Sequence, residues 1–300
     1  MSGMRPPAAL QTRVPLIGAP MAGPAGGRLA HAITRAGGLG MVGVAASRDE
    51  DWVRREAAVA GADGTAYGLG LLAWALEAAL DLRPSLVSVS FGPYAGPVRR
   101  LREAGILTAT QVGSLADLDE AVEAGVDVVV VRGAEGGGHG RNDLGTLPLL
   151  QLALERTDLP VYAAGGILNH RGLAAVLAAG AAGAWVGTAF LGCVEAEGSP
   201  AAKAALFGAQ ETGYGRVFDR AQRAAWPREF GGRAVANAFF EEWAGREDEL
   251  DDEDLGRFRA AVAAQDFSVA HVYAGQGVAA LTGETTAADV VTGFARALPG

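Results

Sequence analysis

The run Val128–Asn142, VVVVRGAEGGGHGRN, delivers one histidine into a loop of glycines directly behind four valines. An imidazole titrates at roughly pH 6.5, so a histidine held beside a ligand can take a proton at neutral pH. Glycines allow such a loop to lie flat over a large ligand. A loop histidine is by itself ordinary surface. Its position behind a buried strand and among glycines makes His139 the candidate base. Glu135, in the same loop, either orients His139 or is simply solvated.

The other reactive side chains read as structure. His170 opens an expected helix and His31 lies within one. Cys193 is the only cysteine and reads as a small buried side chain, with no His or Asp spacing that would make it a nucleophile. One cysteine and four scattered histidines give no structural-zinc spacing. Gly38-Leu39-Gly40-Met41-Val42-Gly43 matches G-x-G-x-x-G, but a dinucleotide fingerprint needs a strand before it and a helix opening within it. Here a helix precedes, and the glycines fall within a strand. No P-loop lysine follows any glycine run. The acidic run REDELDDED (246–254) lacks the glycine and ligand spacing of a calcium loop and reads as a solvated helix start.

What positions His139 is an alternation of short apolar runs and amphipathic segments. The runs are VPLIGAPM (14–21), GLGMVGV (38–44), AYGLGLLA (66–73), LVSVSFG (86–92), LTATQVG (107–113), VDVVVVRG (126–133), VYAAGGI (161–167) and AWVGTAFL (184–191). Most are continuously apolar, as strands buried on both faces of a parallel sheet must be. Between them lie seven helix-forming segments: GRLAHAITRAGG, DEDWVRREAAVAG, LAWALEAAL, AGPVRRLREAG, SLADLDEAVEAG, TLPLLQLALERT and HRGLAAVLAAG. Several end in glycine, and Ser114 stands where an N-cap belongs. Eight strands in this spacing predict a (β/α)₈ TIM barrel over 1–193 and 269–300; an open doubly wound sheet tolerates the same alternation. Between 194 and 268 no strand-like run occurs, and Trp226, Phe230, Phe239, Phe240 and Trp243 fall among charged helix formers. That stretch is too long for a plain loop and reads as a helical subdomain, a substrate lid inserted after the eighth strand. The chain returns through HVYAGQGVAALTG and closes with a helix over 285–298.

Barrel chemistry sits at the C-terminal strand ends, and phosphate is often held after strands seven and eight. Those ends read Ala164-Gly165-Gly166-Ile167 and Val186-Gly187-Thr188-Ala189. Glycine lets backbone N–H groups approach an anion closely, and Thr188 adds a hydroxyl donor. A net charge of −9 argues against a nucleic-acid surface. No run approaches a membrane span, the N-terminus lacks the apolar core of a signal peptide, and the lone cysteine suits a reducing cytoplasm.

Taken in order, VPLIGAPMAG, AGGLGMVG, VVVRGAEGGGHG, VYAAGGI, WVGTAFL and YAGQGVA resemble the nitronate monooxygenase family, once called 2-nitropropane dioxygenases. The likeness runs over essentially the whole chain. It implies an FMN-binding barrel with a smaller helical domain inserted late. It also implies that Ala19, Pro20 and Met21 border the flavin ring, that Gln111 contacts the flavin, and that Gly138 passes close to it. Gly165, Gly166, Gly187 and Thr188 would hold the FMN phosphate, Gln276 would line the site, and His139 would be the catalytic base.

Two positions depart from the family. Tyr67-Gly68-Leu69-Gly70-Leu71 offers no polar side chain where the family commonly places one against the flavin, and Phe91-Gly92-Pro93 lacks a histidine often found after the fourth strand. Three functions stay open at this point. The first is FMN-dependent oxidation of nitronates or nitroalkanes with dioxygen. The second is NAD(P)H-dependent reduction of quinones or enoyl thioesters, with the five insert aromatics forming a small-substrate lid or an acyl slot. The third is a flavin-free binding barrel.

Overall fold

The computed structural model of the chain describes residues 6–45, 47–71 and 75–298. Leu72, Ala73 and Trp74, which end the third expected strand and open the third expected helix, lie outside the described residues, as do the first five residues of the N-terminal stretch.

Eight short strands form one parallel sheet: β1 (Leu16–Gly18), β2 (Met41–Gly43), β3 (Gly68–Leu71), β4 (Leu86–Val89), β5 (Leu107–Val112), β6 (Val128–Arg132), β8 (Val161–Ala164) and β9 (Gly183–Val186). β1 pairs with β9 and β2 with β3, and a parallel bridge Ile17–Leu39 joins the two free edges into a barrel. The expected closure is therefore met, and no open-sheet edge is left between β1 and β2.

Alternation along each strand divides the core in two. Ile17, Met41, Leu86, Ala109, Val128, Val130, Tyr162 and Trp185 form the inner cluster, with Leu10 and Leu39. Their strand neighbours Leu16, Val42, Leu69, Val87, Val129, Val131, Val161 and Ala184 pack outward against the helices. This is why Val128–Val131 is apolar without a break: both faces of β6 are buried.

Helices α1 (Gly27–Ala36), α2 (Glu50–Ala60), α3 (Leu76–Leu82), α4 (Ala95–Glu103), α5 (Leu115–Ala124), α6 (Thr146–Leu154) and α7 (His170–Ala178) occupy the seven intervals read from the sequence. Ser114 caps α5, accepting from the Asp117 N–H in a reciprocal capping box. The terminal helix α12 (Ala287–Ala295) packs against α1 and α7 and completes the outer ring. Among the described residues no helix is long and apolar enough to cross a membrane.

The insert differs from the all-helical expectation. Besides α8 (Pro200–Gly208), α9 (Val217–Gln222), α10 (Ala238–Trp243) and α11 (Asp252–Ala264), it carries two strands, β10 (Thr212–Gly215) and β11 (Gly231–Val235). They join β7 (Gly138–Gly140), from the loop after β6, in a three-stranded antiparallel sheet. TGYG and GGRAV contain almost no β-branched residues, so period and propensity give no strand signal. Their glycines are set by aromatic neighbours instead: a Cβ at Gly213 would run into the Phe240 ring, and one at Gly231 into Tyr214. The acidic run does start a helix, with Asp251 capping α11.

Candidate functional site

The loop behind β6 is organised by a residue that sequence reading passes over. Arg132 ends β6 and is 3% exposed. Its guanidinium donates to the carbonyls of Gly136, Gly137, Gly138 and Arg141 at 2.5–3.3 Å. The chain therefore wraps round a buried cation, and side chains at Gly136 or Gly140 would collide with it. Burial pushes Arg132 down to about 10, which leaves it charged at neutral pH. Gly137 lies against the Ala274–Gly275 backbone of the returning segment, and Gly138 has φ +70°. A second buried arginine, Arg233 on β11, ties the same loop to the insert through the Ala134 carbonyl and Asn142 Oδ1.

His139 is thereby fixed on β7, opposite Gly232 of β11. Its Nε2 lies 2.7 Å from Asp219 Oδ1, and the two side chains are 11% and 1% exposed. Asp219 lies on α9 of the insert, eighty positions away. Trp226 stacks on the imidazole at 3.8 Å between ring centroids with 8° between planes, and Tyr273 lies at 5.2 Å. Trp226 also meets the edge of Phe91, at the end of β4, and Phe91 meets Phe230. Phe91 holds φ +66°, a left-handed conformation uncommon for a bulky residue, and reaches the insert from that backbone.

The five insert aromatics thus separate. Trp226 and Phe230 cover the mouth, whereas Phe239 and Phe240, with Trp243 against them, belong to the insert's own core with Phe218, Leu255 and Phe258.

Glu135 does not orient His139. Its carboxylate accepts from the Thr146 N–H and hydroxyl at 2.8–3.1 Å, sitting at the N-terminus of α6 where a carboxylate is favoured. Thr146 Oγ1 also lies 2.9 Å from the Gly165 carbonyl, so the β6 and β8 loops are tied together.

The remaining expected positions gather at the C-terminal rim. Ala19, Pro20 and Met21 are half-buried behind β1. A Cβ on Gly187 would lie 3.3 Å from Met21 Sδ and 3.5 Å from Ala19 Cβ, so the ends of β1 and β9 converge there. Gly165 and Gly166 have φ +104° and +69°. Thr188 opens a short 3-10 turn, Thr188–Phe190, whose first N–H groups have no acceptor within the turn. Its hydroxyl accepts from the Gly275 N–H at 2.9 Å, which leaves the hydroxyl proton free to donate. Free N–H groups, a hydroxyl and side-chain-free backbone make a donor set that fits a phosphate.

Gln111 Nε2 donates to the His139 carbonyl at 3.3 Å. Gln276 reaches the rim through its backbone, the N–H donating to the Glu135 carbonyl at 2.9 Å, and the residue is exposed. Gly70 is explained by packing, because any side chain there would overlap Cβ and Cγ of Pro20. The Gly38–Gly43 fingerprint dissolves likewise: Gly40 abuts the Ala30 backbone and Gly43 the Pro20–Met21 backbone. Cys193 is buried, and burial pushes its thiol up to about 12, far from nucleophilic range. Among the described residues no three His, Cys, Asp or Glu side chains are grouped to hold a metal ion.

Comparison with known proteins agrees with this layout. The chain is 40% identical over 138 residues to a nitronate monooxygenase of Paraburkholderia phytofirmans, covering 43% of this chain and 38% of that protein, so the match spans less than half of either. It is 34% identical over 265 residues to a nitronate monooxygenase of Metarhizium robertsii, covering 75% and 74%. The nitroalkane oxidase of Streptomyces ansochromogenes superimposes with a TM-score of 0.82 at 29% identity, covering 97% of this chain and 99% of that one. A sequence profile of nitronate monooxygenases matches residues 72–296, from directly behind the third barrel strand through the last helix, and takes in the His139 loop, Gly165, Gly166, Gly187 and Thr188, and the insert. With three quarters of the chain matched and 34% identity to the Metarhizium robertsii protein over 75% of this chain, the chain belongs to the nitronate monooxygenase family.

Proposed function

We propose that this protein is an FMN-dependent oxidoreductase that oxidises alkyl nitronates, and the nitroalkanes that form them, with dioxygen. The observation that carries the reading is His139, an imidazole held at the barrel mouth by Asp219 and covered by Trp226. A nitroalkane has an acidic C–H beside its nitro group. A positioned imidazole is the side chain suited to take that proton near neutral pH.

The rim donors fit the phosphate of a flavin mononucleotide: Gly165, Gly166 and Gly187 through their backbone, Thr188 through its hydroxyl. Ala19, Pro20 and Met21 would border the ring, with Gly138, beside which a Cβ would meet no atom within 4 Å, leaving room for it. When bound, the flavin supplies the electron acceptor that the protein itself lacks and passes the electrons on to dioxygen. The protein's own residues orient and protect. His139 removes the proton. Phe91, Trp226 and Phe230 keep water from the reacting carbon and favour a small apolar substituent. The insert 194–268 acts as the lid, closing over the barrel of 1–193 and 269–300.

The test is uptake of FMN followed by turnover of a neutral nitroalkane and of its preformed nitronate anion. The expected result is a yellow holoprotein that oxidises both, with His139→Ala abolishing turnover of the neutral substrate while sparing flavin binding. A protein that takes up no FMN overturns the cofactor assignment. Rapid anaerobic reduction of bound flavin by NAD(P)H, with no nitronate turnover, replaces the donor with a nicotinamide.

A further inference from the structure

We propose that Asp219 is the positioning residue of the base: it holds the Nε2–H of neutral His139 and so leaves Nδ1 as the atom that takes the substrate proton. This inference rests on His139 being the base.

The geometry is a carboxylate oxygen 2.7 Å from an imidazole nitrogen, a separation that requires a proton between them. A carboxylate only accepts, so against it Nε2 is the donor and the lone pair of the neutral ring lies on Nδ1. Asp219 is 1% exposed, and its second oxygen, Oδ2, has no hydrogen-bond partner in the protein. The carboxylate's hydrogen bond is the one to His139 Nε2, with the Tyr273 phenol also close to it. The ring cannot easily turn away, because Trp226 lies flat on one face and the β7–β11 pairing fixes the backbone.

The charged and titratable groups round the pair leave that arrangement in place. Tyr273 is a neutral phenol, held above its ordinary range by burial first and by the nearby Asp219 carboxylate second. His271, whose ring centroid is 5.1 Å from that of Tyr273, is pushed down to about 4 by burial and is neutral above that. Arg216, Arg220 and Arg223 share a cavity of about 280 Å³ with Asp219, and Arg216 also donates to the Trp226 carbonyl at 2.9 Å. In the step itself the substrate C–H bond breaks, the proton passes to Nδ1, and the electron pair remains on carbon, delocalised into the nitro group. The imidazolium so formed then faces a fixed carboxylate.

Because Asp219 belongs to α9 of the insert, the barrel alone supplies the base and the insert supplies its tautomer.

The experiment uses the holoenzyme with ¹⁵N-labelled histidine, the His139 resonances being identified by their loss in His139→Asn. The wild type is expected to show Nε2 protonated and Nδ1 bare in the neutral ring. Asp219→Asn, which keeps shape but can donate to Nε2, should shift the ring toward the Nδ1–H form. Its turnover of a neutral nitroalkane should fall at least about 100-fold, the general-base range, while turnover of the preformed nitronate changes less than about threefold. Asp219→Glu should recover part of the lost rate. An Nδ1–H tautomer in the wild type refutes the proposal without any variant. So does an Asp219→Asn protein with unchanged tautomer and unchanged rate. If His139→Ala leaves neutral nitroalkane turnover intact, the base reading itself fails, whichever tautomer is observed.

Discussion

Replacing Arg132 with methionine tests whether a buried cation shapes the loop that carries His139. The substitution keeps an unbranched apolar stem and removes every donor. Four carbonyls, of Gly136, Gly137, Gly138 and Arg141, then lose their partner. At about 1.5–2 kcal/mol for each charge-assisted bond, the gross loss is roughly 6–8 kcal/mol. The wild-type protein already bears a cost for burying that charge. The fall from its ordinary value to about 10 corresponds to about 3 kcal/mol against the cation, which methionine would recover. The net penalty is about 3–5 kcal/mol if the loop keeps its shape. The loop can escape it by opening to water, so the damage should stay local. Amide hydrogen exchange should show residues 133–141 losing protection while β8 and β9 retain theirs, with turnover of neutral nitroalkane lost through His139. Arg132→Lys, which keeps the charge but not the planar fork, should fall between. Wild-type protection across 133–141 in Arg132→Met would refute the view that the guanidinium organises the loop.

Two further outcomes follow from the packing. His271 sits near Phe218 and Phe258, both at 5.9 Å between centroids, with Nδ1 enclosed and unpartnered. Its folded value, about 4, lies below the ordinary 6.5, so in that window the unfolded chain binds the extra proton and stability falls as pH drops. Urea midpoints should show about 2–3 kcal/mol lost between pH 6.5 and 4, and His271→Phe should abolish that part of the slope; an unchanged slope would assign the acid sensitivity elsewhere. Gly70→Ala inserts a methyl where Pro20 lies, an overpacking that should cost about 1–3 kcal/mol and weaken FMN uptake by displacing Pro20. Undiminished stability and uptake would show that Pro20 yields freely.

The barrel was legible because its signal is local. Continuous apolar runs such as Val128–Val131 report strands buried on both faces, glycine and Ser114 mark helix ends, and eight such units have few ways to close. His139 was legible for the same reason: a histidine among glycines behind a core strand is unusual within a dozen residues. The partners of His139 were not. Asp219 is one of many acidic residues in a helical stretch, and nothing in its neighbours says that β11 will pair with β7 and bring it within 2.7 Å. Arg132 looks like any polar residue ending a strand until the loop closes round it.

Sequence by itself thus determined the frame and singled out His139 as the proposed base, since strand burial and helix capping depend on residues a few positions apart. Tertiary structure alone decided which aromatics meet the mouth, why Gly70 must stay bare, and which carboxylate meets His139. Those are contacts between segments tens of residues apart. Their geometry depends on strands such as TGYG and GGRAV, whose pairing is specified by neighbours in space rather than by any period along the chain.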